Sequence, residues 1–127
     1  MLKRIQTNDA PQAIGPYSQA VEVGELVFTS GQIPMTPQGT LVTGGIEEQT
    51  HQVMKNVQAV LHAAGSDLNH VIKTTIFLKD LDLFSQVNEI YGRYFSEHQP
   101  ARSCIEVSRL PKEALIEIEA IATKKNE

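Results

Sequence analysis

The chain carries one cysteine, Cys104, so it can close no internal disulfide, and a reducing cytoplasm suits it. Long apolar runs are missing as well, since no more than three apolar residues stand together anywhere. Met1-Leu2-Lys3-Arg4-Ile5 is charged but leads into no apolar stretch, so neither a secretory leader nor membrane insertion is expected. Eleven Lys and Arg are scattered among fifteen Asp and Glu, for a net charge of −4. That balance argues against phosphate-backbone binding and against anionic membranes. The glycine-rich dinucleotide fingerprint, the P-loop and the nucleophile elbow do not occur. The histidines, His51, His62, His70 and His98, show no spacing of three or four. His51 and His62 share a helix face, but eleven residues of helix separate them by about 16 Å, too far for one metal ion. No metal site is expected.

What is present fits one soluble globular domain spanning residues 1–127, long enough to bury a core. Ala20–Val23 and Leu26–Ser30 flank Gly24-Glu25 and predict a β-hairpin. From Ile46, the residues Val53, Met54, Val57, Val60, Leu61 and Ala64 recur at helical spacing, with Glu47 and Glu48 in the first turn and Gly65 as a stop. Val71–Leu78 is rich in β-branched residues and predicts a strand. Leu83, Phe84, Val87, Ile90, Tyr91, Tyr94 and Phe95 mark a second helix, capped by Asp80 or Asp82 and ended before Pro100. Two strands follow, Ser103–Val107 and Leu115–Ala122, and Leu2–Gln6 is a further short one. The fold class is α+β, a mixed β-sheet with two α-helices on one face. Two helices cover one face only, so the other, which still carries Leu, Ile, Val and Phe, calls for a partner copy.

Candidate chemistry gathers in the last two strands. Arg102 follows the rigid Pro100-Ala101 at the mouth of an apolar strand, and its planar fork suits a carboxylate. Alternation puts Arg102, Cys104 and Glu106 on one side of the first strand, and Glu117 and Glu119 on one side of the second. If those strands pair antiparallel, Arg102 and Glu117 face one cavity. Two readings stay open there: a cross-strand salt bridge, or an anion clamp beside a carboxylate that holds or deprotonates a water. Tyr17 follows a Gly-Pro turn, where a phenol serves core, interface or site. Ser30-Gly31 supplies a hydroxyl and a residue without Cβ, letting a ligand approach the backbone. Asn88 stands four after Phe84, near the apolar stripe, with an amide for a structural hydrogen bond or for the site. Cys104 has no neighbouring His to activate it and reads more readily as a small strand residue than as a nucleophile.

Gly15-Pro16-Tyr17-Ser18-Gln19, Thr29-Ser30-Gly31-Gln32-Ile33-Pro34, Val87-Asn88, Pro100-Ala101-Arg102-Ser103-Cys104 and Ile116-Glu117-Ile118-Glu119-Ala120 together strongly resemble the RidA (YjgF/YER057c/UK114) family. The resemblance spans essentially the whole chain. The arginine in its Arg-Ser-Cys setting is similar to that of the catalytic RidA subgroup. The resemblance implies a chorismate-mutase-like fold, a homotrimer with a central barrel of sheets, and sites in clefts between subunits. It implies hydrolysis of 2-imino acids or their enamine tautomers, released by pyridoxal-phosphate dehydratases, to 2-keto acids and ammonia, with no cofactor. Arg102 would bind the substrate carboxylate and Glu117 would activate or position water. Main-chain groups of Gly31 and Cys104 would hold substrate and water, and Tyr17, Ser30 and Asn88 would shape the cleft. The rival reading is a trimeric protein that binds keto or amino acids as a regulator, without turnover.

Overall fold

The computed structural model describes residues 1–125. Six strands run in chain order as β1 (Leu2–Ile5), β2 (Ala20–Val23), β3 (Leu26–Thr29), β4 (Val71–Leu78), β5 (Ala101–Glu106) and β6 (Ile116–Thr123). Helix α1 (Ile46–Ala63) lies between β3 and β4, and helix α2 (Phe84–Tyr94) between β4 and β5. The strands form one sheet in the order β1-β2-β3-β6-β4-β5. Neighbours are antiparallel except β4 and β5, which are parallel, so the sheet is mixed.

Local chemistry explains the elements. The β2–β3 hairpin closes on Gly24, which takes φ 56°, a conformation that favours glycine and suits a tight hairpin. Glu47 and Glu48 sit in the first turn of α1, where the helix dipole favours negative charge, and Gly65 at φ 78° ends it. Neither of the two aspartates expected to cap the second helix caps α2 itself, which starts after Leu83 without a side-chain cap; the Asp80 carboxylate instead accepts from the Asp82 N–H at 2.9 Å and caps a short 3₁₀ turn, Leu81–Leu83, that runs into α2.

The expected pairing of the last two strands does not occur. Helix α2 is a crossover, and a crossover returns the chain parallel to the strand it left, so β5 docks beside β4 at the edge of the sheet. Strand β6 instead enters between β3 and β4. Its alternation explains this: Ile116, Ile118, Ala120 and Ala122 are each 2% exposed or less, a pattern that gains most from neighbours on both sides. β5 is exposed along most of its length and carries Arg102 and Glu106, which suits an edge.

Those four β6 residues pack under Val53, Met54, Val57, Val60 and Leu61 of α1 and Val87 and Tyr91 of α2 in one apolar core. The opposite face has no helix. There Leu2, Val23, Phe28 and Ile105 remain exposed, sharing the side of the sheet with Glu117 and Glu119. Because Ile118 is fully buried at the centre of the sheet, Ile118→Ala is expected to cost about 2–5 kcal/mol, read as a lowered urea midpoint with an unchanged slope.

Candidate active site

Arg102 is braced by neutral groups. One guanidinium nitrogen donates to the Asn88 side-chain oxygen at 2.7 Å, and the guanidinium carbon lies 5.1 Å from the centre of the Phe84 ring and 5.0 Å from that of Tyr91. Phe84, Asn88 and Tyr91 occupy successive turns of α2 on the side facing β5, and so build a platform under the cation. Tyr91 is itself fixed by a 2.7 Å hydrogen bond between its hydroxyl and that of buried Thr74, the residue in register with Arg102 on β4. Burial pushes the Tyr91 phenol up, outweighing Thr74 and the nearby Arg102 charge, so it stays protonated. Among the described residues Arg102 enters no ion pair. A cavity of about 430 Å³ opens beside it, lined by Asn88, Tyr91, Gly92, Phe95, Pro100 and Arg102 among others.

Cys104 stands two residues along β5, on the same face and half-buried. Burial raises its thiol above the ordinary value despite the opposing pull of Arg102, which keeps it a thiol and not a thiolate.

Glu117 lies elsewhere. Its β4 partner is Phe77, three residues from Thr74 and therefore on the opposite face of the sheet from Arg102. Burial, with a smaller contribution from the neighbouring Glu119 charge, pushes the Glu117 carboxyl above the usual glutamate range. Its closest setting is Gly31: a Cβ built there would fall 1.9 Å from a Glu117 carboxyl oxygen. The glycine is thus a requirement of close packing against the carboxyl, and any side chain would displace it. Ser30 ties this corner down, its hydroxyl donating to the Ser18 carbonyl and its N–H to the Gln19 carbonyl. A second cavity, of about 360 Å³, runs past Gly31 and is lined also by Ile14, Tyr17, Ile33, Met35 and Lys112. Tyr17 is 55% exposed at its rim.

The candidates therefore fall into two groups on one chain. Arg102, Asn88 and Cys104 gather at the β5 edge; Glu117, Gly31, Ser30 and Tyr17 gather around the end of β3 and the start of β6. Phe84 and Tyr91 were not singled out by the sequence, because aromatics at helical spacing read as core. Their offset from Asn88 by four and three residues was the available signal. Among the described residues no three His, Cys, Asp or Glu side chains converge as a metal site would, and no helix is long and apolar enough to cross a membrane.

Comparison with known proteins bears on this geometry. The family described as endoribonuclease L-PSP matches residues 7–124. A RutC family protein of Pyrococcus horikoshii is 54% identical over 98% of this chain and 99% of its own length. A protein of Salmonella typhimurium named 2-iminobutanoate/2-iminopropanoate deaminase is 49% identical over 98% of this chain and all of its own. The crystal structure of Escherichia coli TdcF with bound serine superimposes with a TM-score of 0.92 at 46% identity, covering 97% of this chain and 99% of TdcF. With a family match over nearly its whole length and full-length relatives at about half identity, the chain belongs to the endoribonuclease L-PSP family, the RidA family its motifs resemble.

Proposed function

We propose that this protein hydrolyses small 2-imino acids and their enamine tautomers to 2-keto acids and ammonia, the activity named for its Salmonella typhimurium relative. The observation that carries the reading is a guanidinium braced by three uncharged groups, with no carboxylate of the described chain to neutralise it. A cation so placed is ready for a substrate carboxylate, which its fork can take bidentately. The serine held by TdcF is a small molecule bearing such a carboxylate.

The reaction asks for little more than geometry. Water adds to the imine carbon, the C–N bond breaks, and the nitrogen leaves as ammonia; an enamine first gains a proton on its terminal carbon. The imine carbon is already electrophilic, so no covalent nucleophile is needed and the Cys104 thiol can stay protonated. Glu117, with its affinity for a proton raised by burial, is better matched to deprotonating or orienting water than an ordinary surface carboxylate. Main-chain groups of Gly31 and Cys104 hold substrate and water, while Tyr17, Ser30 and Asn88 shape the cleft.

Since Arg102 and Glu117 occupy opposite faces of one sheet, one copy cannot complete the site. The proposed assembly is a homotrimer in which the β5 edge of each copy meets the helix-free face of the next, a heterologous contact that closes into a ring. That contact covers Phe28 and Ile105 and brings Arg102 of one protomer to Glu117 of its neighbour. Pyridoxal-phosphate dehydratases are the proposed source of substrate, because their eliminations release enamines.

Other readings fit less well. A pure regulatory binding site gains nothing from a second anion beside the bound carboxylate, whereas a hydrolase needs Glu117. Chorismate mutation would call for more than one cation to hold a dicarboxylate. RNA cleavage, which the family description names, sits poorly with a net charge of −4.

The direct test adds the protein to a threonine dehydratase reaction containing semicarbazide. Less trapped imine and faster 2-ketobutyrate are expected; an unchanged partition would favour the binding protein. Arg102→Ala is expected to lose turnover while sedimenting like the wild type, since a charge-assisted contact contributes about 1.5–3 kcal/mol before orientation is counted. Glu117→Gln is expected to keep binding the keto acid but lower kcat, and to remove the acid limb of the pH profile: activity requires the ionised carboxyl, so it falls as pH drops through a value that burial raises and, in the assembly, the neighbouring Arg102 lowers. Sedimentation at micromolar concentration is expected to give a trimer, and a stable monomer would contradict the assembly.

A further inference from the structure

Three amides lie along one side of α1, at Gln49, Gln52 and Asn56. Gln49 and Asn56 are 5% and 1% exposed, yet their amide hydrogen bonds reach out of the helix. Gln49 donates to the Val42 carbonyl at 2.8 Å and accepts from the Leu115 N–H at 2.8 Å. Asn56 donates to the carbonyls of Ile33 at 3.0 Å and Met35 at 2.8 Å, and its own oxygen accepts from Gln52 at 3.0 Å. The two segments they grip are the ones that carry Gly31 and Glu117. Between the grips, Gln32 and Ile118 exchange backbone hydrogen bonds of 2.8 and 3.1 Å.

We propose that Gln49 and Asn56 are positioning residues, a clamp on α1 that sets Gly31 against Glu117. The chemistry of the side chains fits: at Gln49 an amide supplies a donor and an acceptor on two separate atoms, so it can bond Val42 and Leu115 at once, which no aliphatic group can do. A position that only filled the core would take Leu or Met there without leaving amide groups to satisfy. A separate observation points the same way. Lys112 and Glu113, just before Leu115, both take φ 58°, a left-handed conformation that is costly for residues with side chains. Two such residues in a row persist only where their surroundings hold them, and the bond from Leu115 to Gln49 is one such hold. Released, the turn would relax and carry the start of β6, hence Glu117, with it. The Glu117 carboxyl lies close against Gly31, so a shift at the start of β6 changes where that carboxyl stands.

The catalytic consequence rests on the imine-hydrolase reading, so the test has one arm that needs no substrate. In Gln49→Met, of similar shape but without the two bonds, hydrogen exchange at the Gln32 and Ile118 amides is expected to quicken on the order of 10-fold relative to β2. Unchanged exchange overturns the clamp. In the imine assay, run well below the melting temperature, kcat is expected to fall on the order of 10-fold while KM stays within about twofold, because the Arg102 half-site is untouched. A lower Tm with kcat unchanged, or a change in KM alone, also overturns it. Asn56→Ala, which removes the bonds to the Ile33 and Met35 carbonyls, carries the same measurements should Gln49→Met fail to fold. A wild-type protein without imine hydrolysis would sink the functional reading and leave the exchange arm to decide the clamp.

Discussion

The guanidinium of Arg102 is held in place without being neutralised, and the proposed chemistry depends on that. A surface arginine usually solvates or pairs with an acid, contributing little to stability. Here Asn88 offers an amide oxygen, Phe84 and Tyr91 offer ring faces, and Thr74 anchors Tyr91 from inside the sheet. Each contact narrows the motion of the cation without cancelling its charge. An anion arriving from solvent then meets a donor fork already oriented, and less of its binding energy is lost to ordering the side chain.

The sheet order sets the second constraint. With β4 between β5 and β6, and a three-residue offset between the positions in register with Arg102 and Glu117, the two charges point to opposite faces. Within one copy they neither attract nor quench each other. Glu117, buried against Gly31 and near Glu119, keeps a proton more readily than an exposed glutamate, and Arg102 does nothing locally to reverse this. In the proposed assembly a neighbouring copy would bring its own cation to this carboxyl and cover the exposed Leu2, Val23, Phe28 and Ile105 of the helix-free face.

Much of this was legible in the sequence where the signal was local. The hairpin around Gly24, the helix from Ile46, and the strand Val71–Leu78 were expected at or close to their observed bounds, because turn chemistry and apolar period act over a few residues. That two helices cover one face of the sheet followed from the order of elements. Strand pairing did not. Whether β6 joins β5 or slips between β3 and β4 is decided by long-range burial and by the α2 crossover, and adjacency in sequence pointed the wrong way. At the site, Arg102, Asn88, Gly31 and Glu117 were picked out by residue type, but their separation into two groups was invisible without the register. The buried amides Gln49 and Asn56 were missed altogether, since each bonds to backbone carbonyls or N–H groups many residues away and leaves no periodic trace.

The central claim is that one protomer supplies the cation and its neighbour the carboxylate, and mixing two impaired variants tests it most directly. Arg102→Ala and Glu117→Gln protomers, unfolded together and refolded at equal amounts, would give mixed trimers in which one of the three clefts has both native residues. Random assembly makes about three-quarters of the trimers mixed, so about a quarter of wild-type activity is expected to return. A refolded mixture no more active than the two variants kept apart would contradict the account.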